Sequence, residues 1–155
     1  MRRLAWLFWL SLAVLSTAAL VRAGSDYLTT VTSLRDFRWS AAPFVVPADE
    51  ALQTSLALDV QNASSVALTM KDLEVYLWLG DTTVGKTYAR FEPLVVPRFT
   101  TVRVPLVIEL TPAFIRDAHA KPGNAKRWQA TGMYKVNTPV TSSDFVYHLQ
   151  VDIAP

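Results

Sequence analysis

The period of the apolar residues constrains this chain more than any other feature. In LALDVQNASSVALTMKDLEVYLWLG, which runs from Leu56 to Gly80, large apolar residues recur at every second position in runs on either side of a break at Asn62–Ser65. Leu56, Leu58 and Val60 alternate with Ala57, Asp59 and Gln61. Leu73, Val75, Leu77 and Leu79 alternate with Glu74, Tyr76 and Trp78. A period of two puts successive side chains on opposite faces of an extended chain, so these segments fit half-buried strands rather than helices. Val102, Val104, Leu106, Ile108 and Leu110 repeat the pattern, as do Phe145, Tyr147, Leu149, Val151 and Ile153.

Further strands are expected at Leu34–Trp39, at Phe44–Val46, from Val84 to Phe91 with Pro93 closing it, and around Tyr134 and Val136. Val66, Leu68 and Met70 resume the alternation after the break at Asn62–Ser65, and Gly80-Asp81 supplies a turn. Pro105 interrupts the outward set of its strand and calls for a free edge or a bulge there. Thr111-Pro112 is an N-cap followed by a proline at the first helical position, so residues 111–117 read as a short helix with a loop over 118–127. About seven short strands separated by turn signals predict an all-β antiparallel sandwich, with a small barrel as the alternative.

The amino terminus has a different character. Arg2 and Arg3 precede LAWLFWLSLAVLSTAALV, 18 uncharged residues from Leu4 to Val21. A run of this length is close to the ~20 residues a membrane-spanning helix needs. It also ends in Val21-Arg22-Ala23, a small-x-small pattern that fits cleavage before Gly24. Residues 1–23 are therefore expected to be a signal anchor or a cleaved signal peptide, 24–32 a linker, and 33–155 the folded domain. Either way the flanking arginines place the domain on the extracytoplasmic side, tethered to the membrane through residues 4–21 or secreted after Ala23.

Charge and composition exclude several functions. The chain has 15 Lys and Arg against 13 Asp and Glu, and three of the arginines flank the apolar run. No basic cluster interleaved with aromatics remains, so no nucleic-acid partner is expected. With no cysteine, disulfides, thiolate catalysis, cysteine-bound metals and a lipoprotein anchor are ruled out. The two histidines, His119 in a polar loop and His148 on the outer face of the last strand, are read as solvated rather than as metal ligands. No GxSxG elbow accompanies Ser142, Ser143 and Asp144, which read as a turn. Glu74, Glu92 and Glu109 are the residues from which a carboxylate pair could be drawn, but outer strand faces need such residues in any case. No enzymatic activity, cofactor, metal or small-molecule substrate is expected. Tyr76 and Trp78, opposite the apolar set of their strand, are a candidate protein interface, unless the 111–127 segment covers them.

Asn62 ends a strand and opens Asn62-Ala63-Ser64, a glycosylation sequon. The alternative is an Asx-type turn in which the amide bonds backbone groups just ahead, aided by Ser64 and Ser65.

Taken in order, "LALDVQNASSVALTMKDLEVYLWLG", "TTVGKT", "LVVPRFTTVRVPLVIEL" and "ATGMYKVNTPVTSSDFVYHLQVDI" resemble the WHy domain of the late embryogenesis abundant group 2 family. Asn62, Gly85, Pro97 and Gly132 match that family's asparagine, glycine step, proline step and later glycine. Ala63 departs from its usual proline, and the 114–127 segment is longer or more helical than usual. The resemblance implies an immunoglobulin- or fibronectin-like sandwich with no active site, tied to desiccation and stress protection. A second expectation is an accessory or adaptor subunit of a membrane or extracytoplasmic assembly, binding protein partners through an exposed sheet face or edge.

Overall fold

The structure, a computed structural model, describes residues 2–33, 37–121, 127–138 and 141–154. Helix α1 (Arg2–Ser33) is followed by β1 (Phe37–Ala41), β2 (Gln53–Asn62), β3 (Leu68–Leu79), β4 (Thr82–Val96), β5 (Thr100–Leu110), α2 (Pro112–Ala120), β6 (Trp128–Thr138) and β7 (Thr141–Ile153). All-β was the expectation for the domain, and most of the strands are found where the period of two placed them. The alternation is met nearly residue for residue in β3 and β5. Leu73, Val75, Leu77 and Leu79 are buried, as are Val104, Leu106, Ile108 and Leu110.

The strands form one antiparallel sheet in the order β1-β2-β5-β4-β3-β6-β7. Its two halves, β1-β2-β5 and β4-β3-β6-β7, are joined by a short ladder, Gly85 opposite Leu110 and Lys86 opposite Glu109. The sheet curls until its first strand faces its last strands. Phe37 and Trp39 of β1 place their rings 6.1 and 5.0 Å from that of Tyr134 on β6. One core fills the space between the halves. Burying such a cluster supplies the main drive for folding, at roughly 25 cal/mol per Å² of apolar surface.

Several elements differ from expectation for identifiable reasons. Phe44–Val46 forms no strand. Phe37, Trp39 and Ala41 are the half-buried set of β1, so continued alternation would bury Val45. Pro43 fixes the backbone and breaks that parity. Phe44 is buried instead, its ring 5.3 Å from that of Trp128, and Val45 is 83% exposed. Residues 34–36 of the expected opening strand lie outside the described residues.

Pro93 does not close β4, which continues to Val96. The β3–β4 register shifts between Met70 and Asp72, placing Pro93 in an irregularity. Beyond Lys86 no β5 partner is bonded to β4, so a missing donor there costs no ladder bond. At Pro105 the expected free edge is present, since β5 pairs with β2 along its length but with β4 only at Glu109 and Leu110.

Helix α2 runs three residues past the expected 117. Thr111 stands at its N-cap without a side-chain bond; its carbonyl accepts from the Phe114 and Ile115 N–H groups. Ser142, Ser143 and Asp144 lie within β7 rather than in a turn, because β7 pairs with β6 from Thr141 onward. Residues 122–126, and the side chains of Phe145 and Tyr147, lie outside what is described.

Candidate functional site

The densest polar arrangement in the domain is built around Asn62, the last residue of β2, which is fully buried. Its Oδ1 accepts from the Ser64 N–H at 3.0 Å and from the Ser64 hydroxyl at 2.6 Å. Its Nδ2 faces three carbonyls, those of Val66 at 2.9 Å, Val96 at 3.1 Å and Pro97 at 3.1 Å. Only an amide NH2 can face three carbonyls, so the network fixes which way the amide points. Ser64 Oγ lies 2.9 Å from the Val66 carbonyl and accepts from the Val66 N–H at 3.3 Å. The expected turn over 62–66 is therefore present. It is also tied across 34 residues of sequence to the end of β4. An Nδ2 that is buried and engaged in this way cannot be glycosylated in the folded domain.

Pro97 belongs to the same joint. It opens the turn between β4 and β5, and its carbonyl accepts from Asn62 and, at 2.8 Å, from the Thr100 hydroxyl. Phe99 in this turn has φ 55° and is 69% exposed; a non-glycine residue in that region stores strain.

Gly85 sits at the crossing of β4 and β5, beside a register shift between Leu77 and Trp78. A Cβ there would lie 2.6 Å from the Glu109 carbonyl oxygen and 2.8 Å from a Leu110 methyl, so only glycine lets the two halves of the sheet meet. Gly132 pairs with Val75, and a Cβ on it would lie 2.0 Å from the Glu74 carbonyl oxygen. All four motif residues are thus joints between strands, and none displays a reactive group.

Tyr76 and Trp78 are half-buried on the outer face of β3. The Trp78 Nε1–H donates to Thr131 Oγ1 at 2.8 Å, and the Tyr76 hydroxyl donates to a Glu74 carboxylate oxygen. That bond, and then the carboxylate's charge, hold the Tyr76 phenol above its ordinary range. Thr111 and Phe114, at the start of α2, line one small cleft with Tyr76. Both aromatic polar tips therefore have partners within the chain.

His119 lies in α2, not in a loop, and its Nδ1 is 2.9 Å from an Asp49 carboxylate oxygen. His148 is exposed on β7 opposite Met133, so the two histidines stand on separate elements. Among the described residues no group of three or more His, Cys, Asp or Glu could hold a metal ion. Glu74 and Glu109 line one cleft with Lys86 and Tyr88, whereas Glu92 does not join them. The Tyr88 hydroxyl donates to Asp72 at 2.9 Å. Sequence reasoning missed the His119–Asp49 pair and the reach of Asn62 to β4, because both join residues far apart in the chain.

Leu4 and Val21, the ends of the apolar run, both lie in α1. The Leu4 side chain is outside the described residues and Val21 is 66% exposed. Among the described residues no helix is long and apolar enough to cross a membrane.

No family model and no curated protein sequence matches the chain. Solved structures that match the chain include a protein from Archaeoglobus fulgidus, at 13% identity and a TM-score of 0.44, covering 77% of this chain and 94% of the other. A solution structure of a protein assigned as late embryogenesis abundant (LEA) covers 90% of this chain and 82% of its own, at 9% identity and a TM-score of 0.42. A Bordetella pertussis protein assigned as ApaA matches at 14% identity and a TM-score of 0.46, over 76% and 88% of the two chains. Likenesses this distant carry no argument about function.

Proposed function

We propose that this chain is a non-enzymatic, WHy-like β domain of the late embryogenesis abundant group 2 type. In this reading α1 holds it at the extracytoplasmic face of a membrane, where it shields membranes or client proteins during water loss. The observation that carries the reading is the use made of Asn62, Gly85, Pro97 and Gly132. The residues that bear the family resemblance are all spent on closing the fold. An immunoglobulin-like sandwich is the finer form of the fold, with the two halves of the curled sheet as its layers and the Gly85–Leu110 ladder as the bridge between them.

The tether rests on α1. Its described side chains from Trp9 to Ser25 are all exposed, and an apolar helix left uncovered in water is unfavourable by the area it exposes. The uncharged run Leu4–Val21 within it has 18 residues, about 27 Å as a helix, close to the thickness of a bilayer core.

Two measurements test the proposal. Cells lacking the protein are expected to survive drying less well than their parent; equal survival contradicts the protective role. Membranes washed with carbonate are expected to retain the full chain and to release a variant lacking residues 4–21. Release of both contradicts the tether.

A further inference from the structure

The departure of the chain at Pro43 leaves a gap in the sheet. The pairing of β1 with β2 ends at Ala41–Leu58, with one further bond from the Ala42 N–H to the Ala57 carbonyl at 2.9 Å. That bond shows which way the β2 backbone points. Ala57 turns its polar groups toward β1, and since these directions alternate along a strand, Ser55 and Gln53 do the same. The bond from Leu110 N–H to the Leu52 carbonyl, on the β5 side, agrees with this parity. In an unbroken β1, Phe44 would face Ser55 and Val46 would face Gln53. Neither pairing forms among the described residues, so Gln53 and Ser55 offer unmatched backbone donors and acceptors on the Gln53–Ala57 edge of β2.

A groove of about 1010 Å³ runs along this edge, walled by Val45 and Val46 on one side and by Pro105 and Val107 on the other. Val45 is 83%, Val107 58% and Val46 44% exposed. Among the described residues no charged one lines it, although 18% of the chain is charged. Unmatched backbone rungs select an extended backbone, and uncharged apolar walls select the side chains that backbone carries.

We propose that the Gln53–Ala57 edge of β2 binds an extended, uncharged, apolar peptide segment by strand addition, in the place β1 vacates at Pro43. This does not depend on the tether or on a role in drying. The bound segment accepts from and donates to Ser55 and Gln53, and its alternate side chains lie on Val45, Val46 and Val107. The free edge of β5 is a poorer receiver. Its outward-pointing residues include Pro105, which has no N–H, and Arg103, whose charge is paired with Asp59.

The test uses the full chain in phosphatidylcholine nanodiscs and a fluorescent heptapeptide alternating valine and serine, followed by anisotropy with empty nanodiscs subtracted. Binding is expected. It should weaken roughly tenfold when alternate peptide nitrogens are methylated, the loss of about two backbone hydrogen bonds. Val45→Lys should weaken it similarly, and Met133→Lys, on the outer face of β6, should leave it unchanged. Ser55→Pro should abolish it; if that variant does not fold, Val45→Lys and the methylated peptide still decide. Absence of binding up to the solubility limit of the peptide overturns the proposal. So does equal binding of the methylated peptide, or a Val45→Lys chain that binds like the parent.

Discussion

The two ends of β2 are built to opposite rules. At Asn62 the strand is fully buried, paired with β1 on one side and β5 on the other, and its side chain closes contacts to two turns at once. At Gln53 the same strand is exposed, paired with β5 alone, and bordered by uncharged apolar surface. One end is saturated and the other is unfinished, within ten residues. Stability is concentrated where distant segments share one side chain, and the residues left over for recognition are those the ladder does not reach.

The comparison breaks most visibly if the saturated end is charged. Asn62→Asp turns a carboxylate toward the Val66, Val96 and Pro97 carbonyls, and an uncompensated buried charge should cost about 4 kcal/mol near neutrality, read by denaturant unfolding. Burial and the facing carbonyls would raise the folded pKa of the new carboxyl above its unfolded value. The variant should therefore recover stability as pH falls below that folded pKa and the group becomes neutral.

Asn62→Ala removes the bonds without adding charge. It leaves the buried Ser64 N–H without its acceptor and the Val96 carbonyl without the amide donor, for a loss of about 3 kcal/mol. Phe99→Gly acts in the opposite direction, because glycine accepts φ 55° freely; a gain of about 1 kcal/mol is expected.

Arg103 and Asp59 join the paired middle of the comparison. The Arg103 Nε–H donates to Asp59 at 2.8 Å and holds the Asp59 carboxyl below its ordinary range, with the charge of Arg103 adding to that effect. A depressed folded pKa stabilises above the unfolded value, near 3.8, and that contribution is lost as pH falls through the folded value. The pair is exposed, so Asp59→Asn should cost about 0.5 kcal/mol or less, and less still in high salt. Smallest of all should be Val45→Lys at the open end, within about 0.5 kcal/mol of the parent. A large loss there would mean that the open end is part of the core.

How much of this was legible follows the range of the interactions. Alternation is local, so Leu73 to Leu79 and Val104 to Leu110 announce their own faces. The Asn62 turn is local through Ser64, and Pro105 marks a free edge by the donor it lacks. What decides the rest is distant. Phe44 is drawn inward by Trp128, 84 residues away in sequence, and no pattern around Pro43 reveals it. Pro93 fits inside β4 only because β5 has already turned away to pair with β2. The single curled sheet in place of two separate ones depends on the Gly85–Leu110 crossing, and a lone glycine in a strand does not say which strand approaches it. Among the candidate site residues, the joints were readable as structure, whereas the open edge is defined by a pairing that fails to form.

Amide hydrogen exchange along β2 in the full chain tests the contrast between its two ends most directly. The N–H groups of Asp59 and Gln61, bonded to β1, and those of Thr54 and Leu56, bonded to β5, should exchange only through opening that approaches global unfolding. Those of Gln53 and Ser55 should exchange orders of magnitude faster. Protection of Gln53 and Ser55 equal to that of Asp59 and Gln61 would contradict the account, because it would mean that the edge of β2 is already closed.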